Sequence, residues 1–267
     1  MTNNSRPRTL IVTNDFPPRQ GGIETFVREL ADRFPSDEVV VFTSAPSPAT
    51  AESAPEEPFP YPVIRHRVRT LLPTPRATAH AASVARRYGC DRVWFGAAAP
   101  LGLMTARLRR TTDIRTAVAT THGHEVWWAR TLGARGLLRR IGNEVDALTW
   151  LGASTRGPIE AALTPGTQTA RLVPGVDTTV FHPGIDGGPV RARYGLSSRP
   201  VILCAARLVP RKGQDTLIRA LPWIRRAVPD AMLLLVGDGP YFSVLRRLAL
   251  AEGVLDSVVF AGGHPHH

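Results

Sequence analysis

Residues 9–43 read TLIVTNDFPPRQGGIETFVRELADRFPSDEVVVFT. The run TLIVTN (9–14) is apolar and β-forming, and it stops at DFPPRQGG, a cluster of turn residues. Beyond the glycines, Ile23, Phe26, Val27, Leu30, Ala31 and Phe34 recur at the spacing of one buried helical face, which Pro35 ends. Residues 39–43 are again strand-forming. Strand, glycine loop, helix and strand in that order make a parallel βαβ unit, because a crossover helix returns the second strand alongside the first.

The same rhythm continues along the chain. Residues 45–62, APSPATAESAPEEPFPYP, have the proline, alanine and acid content of a surface loop. VIRHRVR (63–69) then alternates, which sets Arg65, Arg67 and Arg69 on one face and Ile64, His66 and Val68 on the other. An alanine-rich helix to Tyr88, a strand at 92–95, a helix at 100–110, a strand at 116–120, a helix around 137–145 and a strand at 147–153 complete a doubly wound sheet. Residues 172–188, LVPGVDTTVFHPGIDGG, carry the proline and glycine of an interdomain connection, so the expected domains are 1–178 and 179–267. In the second, strands at 201–205, 232–236 and 258–261 alternate with helices at 215–228 and 241–252. A doubly wound domain usually holds about five or six strands, so the second domain is expected to be incomplete.

The chain has 267 residues, 43% of them hydrophobic, and a net charge of +11. Such a basic excess favours polyanionic partners: nucleic acid, an anionic membrane surface or a phosphorylated substrate. No apolar run approaches the roughly 18 residues needed to span a bilayer, and MTNNSRPRTLIVTND lacks the apolar stretch of a secretory signal, which predicts a cytoplasmic protein. Cys90 and Cys204 are far apart and suggest two buried thiols rather than a disulfide framework or a metal knuckle. Among the 33 basic Lys and Arg residues there is one lysine, Lys212.

Ligands of open parallel sheets bind beyond the carboxyl ends of the strands, where backbone N–H groups and helix N-termini meet anions. Gly21 and Gly22 fall there, after the first strand and before its helix, and serve either a close approach to phosphate or sugar, or a tight turn. Their pattern is not G-x-G-x-x-G, which disfavours a nicotinamide cofactor. Arg207 and Lys212 stand between the first strand of the second domain and a helix, where a planar fork and a compact ammonium suit a diphosphate; the bland alternative is a solvated basic loop. His122 and His124 follow a strand in TTHGHEVWW, and Glu125 reads as a surface or capping carboxylate sooner than a catalytic one. Trp127 and Trp128 read as packing residues, and the glycines of VGDGP (236–240) as a turn or a cleft lining. His264, His266 and His267 sit at a terminus and do not suggest a metal site.

Six segments, GGIE, THGHE, PGVDTTVFHP, ARLVPRKGQDTLIRAL, LLLVGDGPY and VVFAGG, resemble in order and spacing the retaining GT-B glycosyltransferases of the family-4 type. The chain is most similar to the actinobacterial group that moves mannose from GDP-mannose to phosphatidylinositol mannoside. That resemblance implies two Rossmann-like domains and no metal or other cofactor, the nucleotide sugar being a substrate. It implies His122 at the transferred sugar, Arg207 and Lys212 on the donor diphosphate, Gly21, Gly22 and Gly237 beside the donor, and Gly262 and Gly263 near its base. The implied partners are the nucleotide sugar and an anionic lipid acceptor on the inner face of the plasma membrane, with no nucleic acid; Arg65, Arg67, Arg69, Arg76, Arg86 and Arg87 are candidates to meet that lipid, or else ordinary solvated arginines. Relatives continue past AGG to a Glu-x7-Glu motif, so a truncated chain with reduced or no turnover is expected. The competing readings are a nucleotide-sugar epimerase or hydrolase, and a non-catalytic basic fragment that binds anionic membrane.

Overall fold

The computed structural model describes residues 7–19, 21–46 and 58–263. The chain divides into two compact units, one ending at Gly175 and the other beginning at Val176.

In the first unit the strands are β1 (Thr9–Thr13), β2 (Val39–Ser44), β3 (Val63–His66), β4 (Arg92–Phe95), β5 (Thr116–Thr121), β6 (Ala147–Trp150) and β7 (Thr169–Arg171). They form one parallel sheet in the order β3-β2-β1-β4-β5-β6-β7. Helices α1 (Gly22–Ala31), α2 (Pro75–Tyr88), α3 (Thr105–Thr111), α4 (Glu125–Arg130), α5 (Leu132–Glu144) and α6 (Ala153–Glu160) make the crossovers. Every residue of β1 and β2 is buried, as a sheet covered on both faces requires. Successive side chains point to opposite faces, so Leu10, Val12, Val40 and Phe42 join one apolar cluster while Ile11, Val39 and Val41 join the other. The second cluster receives Phe26, Val27 and Ala31 from α1, the face foreseen from its spacing. Burying Phe26 alone contributes about 2–3 kcal/mol relative to leaving it exposed.

Local signals set the helix ends. Thr74 caps α2, its Oγ1 accepting from the N–H of Ala77 at 3.2 Å; Pro75 follows at the first helical position, and Gly89 closes the helix at φ 63°.

The second unit begins with exposed chain and the short helix α7 (Gly188–Arg193). β8 (Val201–Ala205), β9 (Met232–Val236) and β10 (Val258–Gly262) form a three-stranded parallel sheet in the order β10-β9-β8. α8 (Gln214–Ala227) and α9 (Phe242–Ala251) pack on one face, where Ile218, Leu221, Leu233, Leu235 and Leu245 are buried together. Leu196, Met232 and Leu234 form a smaller cluster.

Several expectations are corrected. β3 ends at His66, and 67–70 are bends, so Arg65, Arg67 and Arg69 do not share a strand face. The stretch around 125–145 holds two helices rather than one. β6 stops at Trp150, three residues short of the expected end at 153, and α6, a helix that contains Pro158 and was not foreseen from the sequence, follows it. Cys90 is buried, whereas Cys204, on edge strand β8, is only half-buried; both are free thiols. Of the 45–62 loop, residues 47–57 lie outside the described residues.

Candidate active site

β5 delivers His122 to the carboxyl rim of the first sheet. Buried polar bonds pin the strand end behind it: Trp94 Nε1 donates to Thr120 Oγ1 at 2.8 Å, Thr149 Oγ1 to Thr120 Oγ1 at 2.9 Å, and Thr121 Oγ1 to the Thr149 carbonyl at 2.8 Å. Glu125 opens α4, is wholly buried, and accepts the backbone N–H of His122 through Oε2 at 2.9 Å. Its role is to hold the histidine loop, as the capping reading anticipated. His124 Nε2 stands 3.1 Å from the other oxygen, Oε1, near enough for an ion pair yet out of line for a hydrogen bond.

His122 Nε2 is 2.5 Å from the Gly96 carbonyl. A carbonyl only accepts, so Nε2 carries the hydrogen, and in the neutral ring Nδ1 keeps its lone pair. Phe26 meets the ring edge-on at 5.4 Å. Burial holds the imidazole below its ordinary pKa of 6.5, against the opposing pull of the Gly96 bond, Glu125 and Asp15; His124 adds to the lowering. Asp15, just past β1, is itself raised by burial, opposed by His122, His124 and Arg19. The sequence reading passed over this carboxylate, whose one signal was its place at the carboxyl end of a strand.

A histidine whose folded pKa is depressed remains neutral to lower pH than it does in the unfolded chain. Below pH 6.5 the unfolded state therefore binds more protons, and the stability held by neutral His122 declines as pH falls. The expected NMR titration midpoint of the His122 ring lies below 6.5; a midpoint at or above 6.5 would contradict the buried, carbonyl-bound ring.

Gly21 precedes α1 in extended conformation, and a Cβ built on it would meet only the movable carboxylate of Glu24. A Cβ on Gly22 would meet nothing within 4 Å. Packing therefore does not demand glycine at 22.

The arginines lie apart. Arg65 donates to the carbonyls of Ser44 at 3.2 Å and Pro17 at 2.5 Å, and the carbonyl of Arg69 accepts from the Arg19 guanidinium. Arg86 and Arg87 occupy the last turn of α2, about 15 Å along the axis from Arg76, so the six arginines form no single patch. Trp128 packs against the core, but Trp127 is 63% exposed, which corrects its assignment as a packing residue. An apolar hollow of about 530 Å³ lined by Leu30, Phe34, Trp94, Val118 and Leu172 includes neither His122 nor the glycine loop.

In the second unit Arg207 lies two residues beyond β8, and Lys212 ends a 3₁₀ turn (Pro210–Lys212) that leads through Gly213, at φ 73°, into α8. Both side chains are exposed, and neither makes a hydrogen bond or ion pair among the described residues. Buried Gln214 donates from Nε2 to the Arg207 carbonyl at 3.1 Å. The backbone on either side is stitched down, Ala206 N–H to the Val236 carbonyl and Leu208 N–H to the Asp238 carbonyl, each at 2.9 Å. This close approach requires Gly237 and Gly239: a Cβ would lie 2.3 Å from the Ala206 carbonyl oxygen at Gly237 and 2.2 Å from that of Leu208 at Gly239. Gly237 N–H donates to the Gly262 carbonyl at 2.8 Å and Gly263 N–H to Asp238 Oδ2 at 2.7 Å, tying the loops after β9 and β10 together. The structure thus brings Arg207, Lys212, Gly237, Gly262 and Gly263 to one rim. Among the described residues no group of three or more His, Cys, Asp or Glu side chains is placed to hold a metal. His264, His266 and His267 lie outside the described residues.

Two parallel α/β units, each with glycine loops and polar or cationic residues at its strand ends, match the GT-B fold. Solved structures support that fold: the UDP complex of Anabaena Alr3699/HepE (TM-score 0.74, 19% identity, 96% of this chain and 69% of that one) and sucrose-phosphate synthase from Thermosynechococcus elongatus (TM-score 0.74, 21% identity, 96% and 71%). Residues 20–186 match the model of Glycosyltransferase Family 4, and residues 190–267 that of Glycosyl transferases group 1. The chain belongs to Glycosyltransferase Family 4 and is a glycosyltransferase. It is 45% identical over 263 residues to the GDP-mannose-dependent alpha-(1-6)-phosphatidylinositol monomannoside mannosyltransferase of Mycolicibacterium smegmatis, covering 96% of this chain and 67% of that protein. To the Corynebacterium glutamicum enzyme named for the monoacylated acceptor it is 44% identical over 259 residues, again 96% and 67%. This chain thus spans about two thirds of the length of either relative.

Proposed function

We propose that this chain transfers mannose from GDP-mannose to a phosphatidylinositol mannoside-type lipid at the cytoplasmic face of the membrane, with retention at the anomeric carbon. The observation that carries the donor half is the pair Arg207 and Lys212, two exposed cations free of partners among the described residues on a loop held rigidly against Gly237 and Gly239. Fixed donors and charges aimed at a leaving diphosphate stabilise the charge that develops as the glycosidic bond breaks. In this role the two cations stand where other enzymes use a metal. The names of the relatives support GDP-mannose and the lipid acceptor. Among the described residues no helix is long and apolar enough to cross a membrane, and the +11 charge favours adsorption to anionic lipid.

The chemistry assigned to the residues is simple. As the bond from the anomeric carbon to the diphosphate oxygen breaks, its electron pair stays on that oxygen, and Arg207 and Lys212 stabilise the negative charge that develops there. The acceptor hydroxyl oxygen bonds to the same face of the carbon, and its proton passes to the departing phosphate oxygen. His122, with Nε2–H committed to Gly96, offers Nδ1 as an acceptor to a sugar hydroxyl.

The test is incubation of the chain with GDP-[14C]mannose and phosphatidylinositol monomannoside, followed by NMR of the product. A labelled lipid with an α-mannosyl linkage, formed with reduced turnover, is expected. Free mannose or an epimerised nucleotide sugar as the product would overturn transfer, and a β linkage would overturn retention.

A further inference from the structure

The carboxyl end of β3 and the start of α2 enclose a hollow of about 410 Å³ lined by Arg65, His66, Arg67, Val68, Arg76 and His80. His66 and His80, on different elements, face each other with their Nδ1 atoms 2.8 Å apart. Phe42 of β2 steadies both rings, with centroids 5.9 Å from His66 and 5.1 Å from His80. An imidazole nitrogen either donates or accepts, so one ring carries Nδ1–H and the other presents a bare Nδ1. The neutral pair therefore has one Nε2–H and one bare Nε2. A single proton added at the bare Nε2 leaves the shared Nδ1–H···Nδ1 bond intact, gives both rings an Nε2–H, and raises the pair's charge to +1.

The surroundings are basic on every side. From the strand and its continuation come Arg65, fixed to the Ser44 and Pro17 carbonyls, and exposed Arg67; from α2 come exposed Arg76 and His80. β2 contributes Phe42 and Ser44, the latter in register with His66, buried and with no partner for its hydroxyl among the described residues. No carboxylate lines the hollow among the described residues. Burial, then His80 and Arg76, hold His66 below its ordinary value, so its ring stays neutral to lower pH than a free imidazole does.

We propose that this hollow is a phosphate-binding site, distinct from the donor cations, in which the His66–His80 pair takes up one proton as the anion binds. Two imidazole N–H groups and guanidinium donors match the oxygens of a phosphate ester, and the volume exceeds that of a bare phosphate, leaving room for part of an attached headgroup. The site needs neither a nucleotide nor turnover, so its test succeeds or fails independently of the glycosyltransferase reading.

The experiment is calorimetry of the full chain with glycerophosphoinositol, a phosphodiester whose charge is constant between pH 5.5 and 7.5, beside co-sedimentation with phosphatidylinositol and phosphatidylcholine vesicles. Binding at least about tenfold tighter at pH 5.5 than at 7.5 is expected, the effect of one added charge at close range. Calorimetry at intermediate pH in buffers of different ionisation enthalpy should register uptake of about one proton per phosphate. Replacing both histidines, His66→Phe with His80→Phe, keeps rings against Phe42 and should abolish the acid enhancement, whereas Arg76→Gln, at an exposed position, should weaken binding at both pH values. Acid-enhanced binding of the soluble diester assigns the site to the phosphate itself; the same enhancement confined to phosphatidylinositol vesicles assigns it to a lipid headgroup. No binding of either probe, or an unchanged pH response when both histidines are replaced by Phe, would overturn the site.

Discussion

Replacing Lys212 by alanine is expected to lower the affinity for GDP at least about tenfold while leaving the unfolding transition where it was. A charge-assisted hydrogen bond to phosphate contributes about 1.5–3 kcal/mol, and about 1.4 kcal/mol already corresponds to a factor of ten in Kd. Lys212 is exposed and contacts no other described side chain through a hydrogen bond or ion pair, so its removal costs the fold little. Arg207→Ala should act the same way, and the double variant should lose more than either, because the proposed site sets both cations on one diphosphate. Isothermal calorimetry paired with a denaturant melt separates binding from stability. An unchanged Kd in Lys212→Ala would remove the clamp from the mechanism.

The largest structural effect is expected at Gly237. Its φ of 131° lies in a region that residues with a Cβ rarely adopt, and that Cβ would stand 2.3 Å from the Ala206 carbonyl oxygen and 2.9 Å from its carbon. Both obstacles are backbone and cannot rotate away. Relief means lifting the 206–208 segment from the loop after β9, breaking the two 2.9 Å bonds that anchor it. Gly237→Ala should therefore destabilise the second unit by about 2–4 kcal/mol. It should also weaken GDP binding, since the displaced segment carries Arg207. A urea midpoint equal to that of the unsubstituted chain would show that the loop yields without cost.

The contrast between Lys212 and Gly237 also marks what could be read from residues alone. The strands at 92–95, 201–205 and 232–236 were recovered with the boundaries the structure gives, because strands of parallel sheets are short, largely apolar runs bounded by turns. Lys212 was legible by rarity in an arginine-rich chain. By contrast α6 was missed, since ASTRGPIE mixes glycine, proline and small polar residues that hide a helical period. The steric demand at Gly237 depends on a carbonyl more than thirty positions away in sequence, and no local pattern records it. His66 and His80 likewise meet only after β3 and α2 pack, and Asp15 acquires its raised pKa only from burial beside the histidine loop. The reading of Arg65, Arg67 and Arg69 as one face failed because strand alternation was carried past the bend at 67–70.

A crystal structure of the chain with GDP-mannose most directly tests the grip on the diphosphate. Oxygens of the diphosphate should lie within about 3 Å of Lys212 Nζ and of the Arg207 guanidinium, beside the loop of Gly237. A nucleotide bound elsewhere, with both side chains directed into solvent, would contradict the assignment.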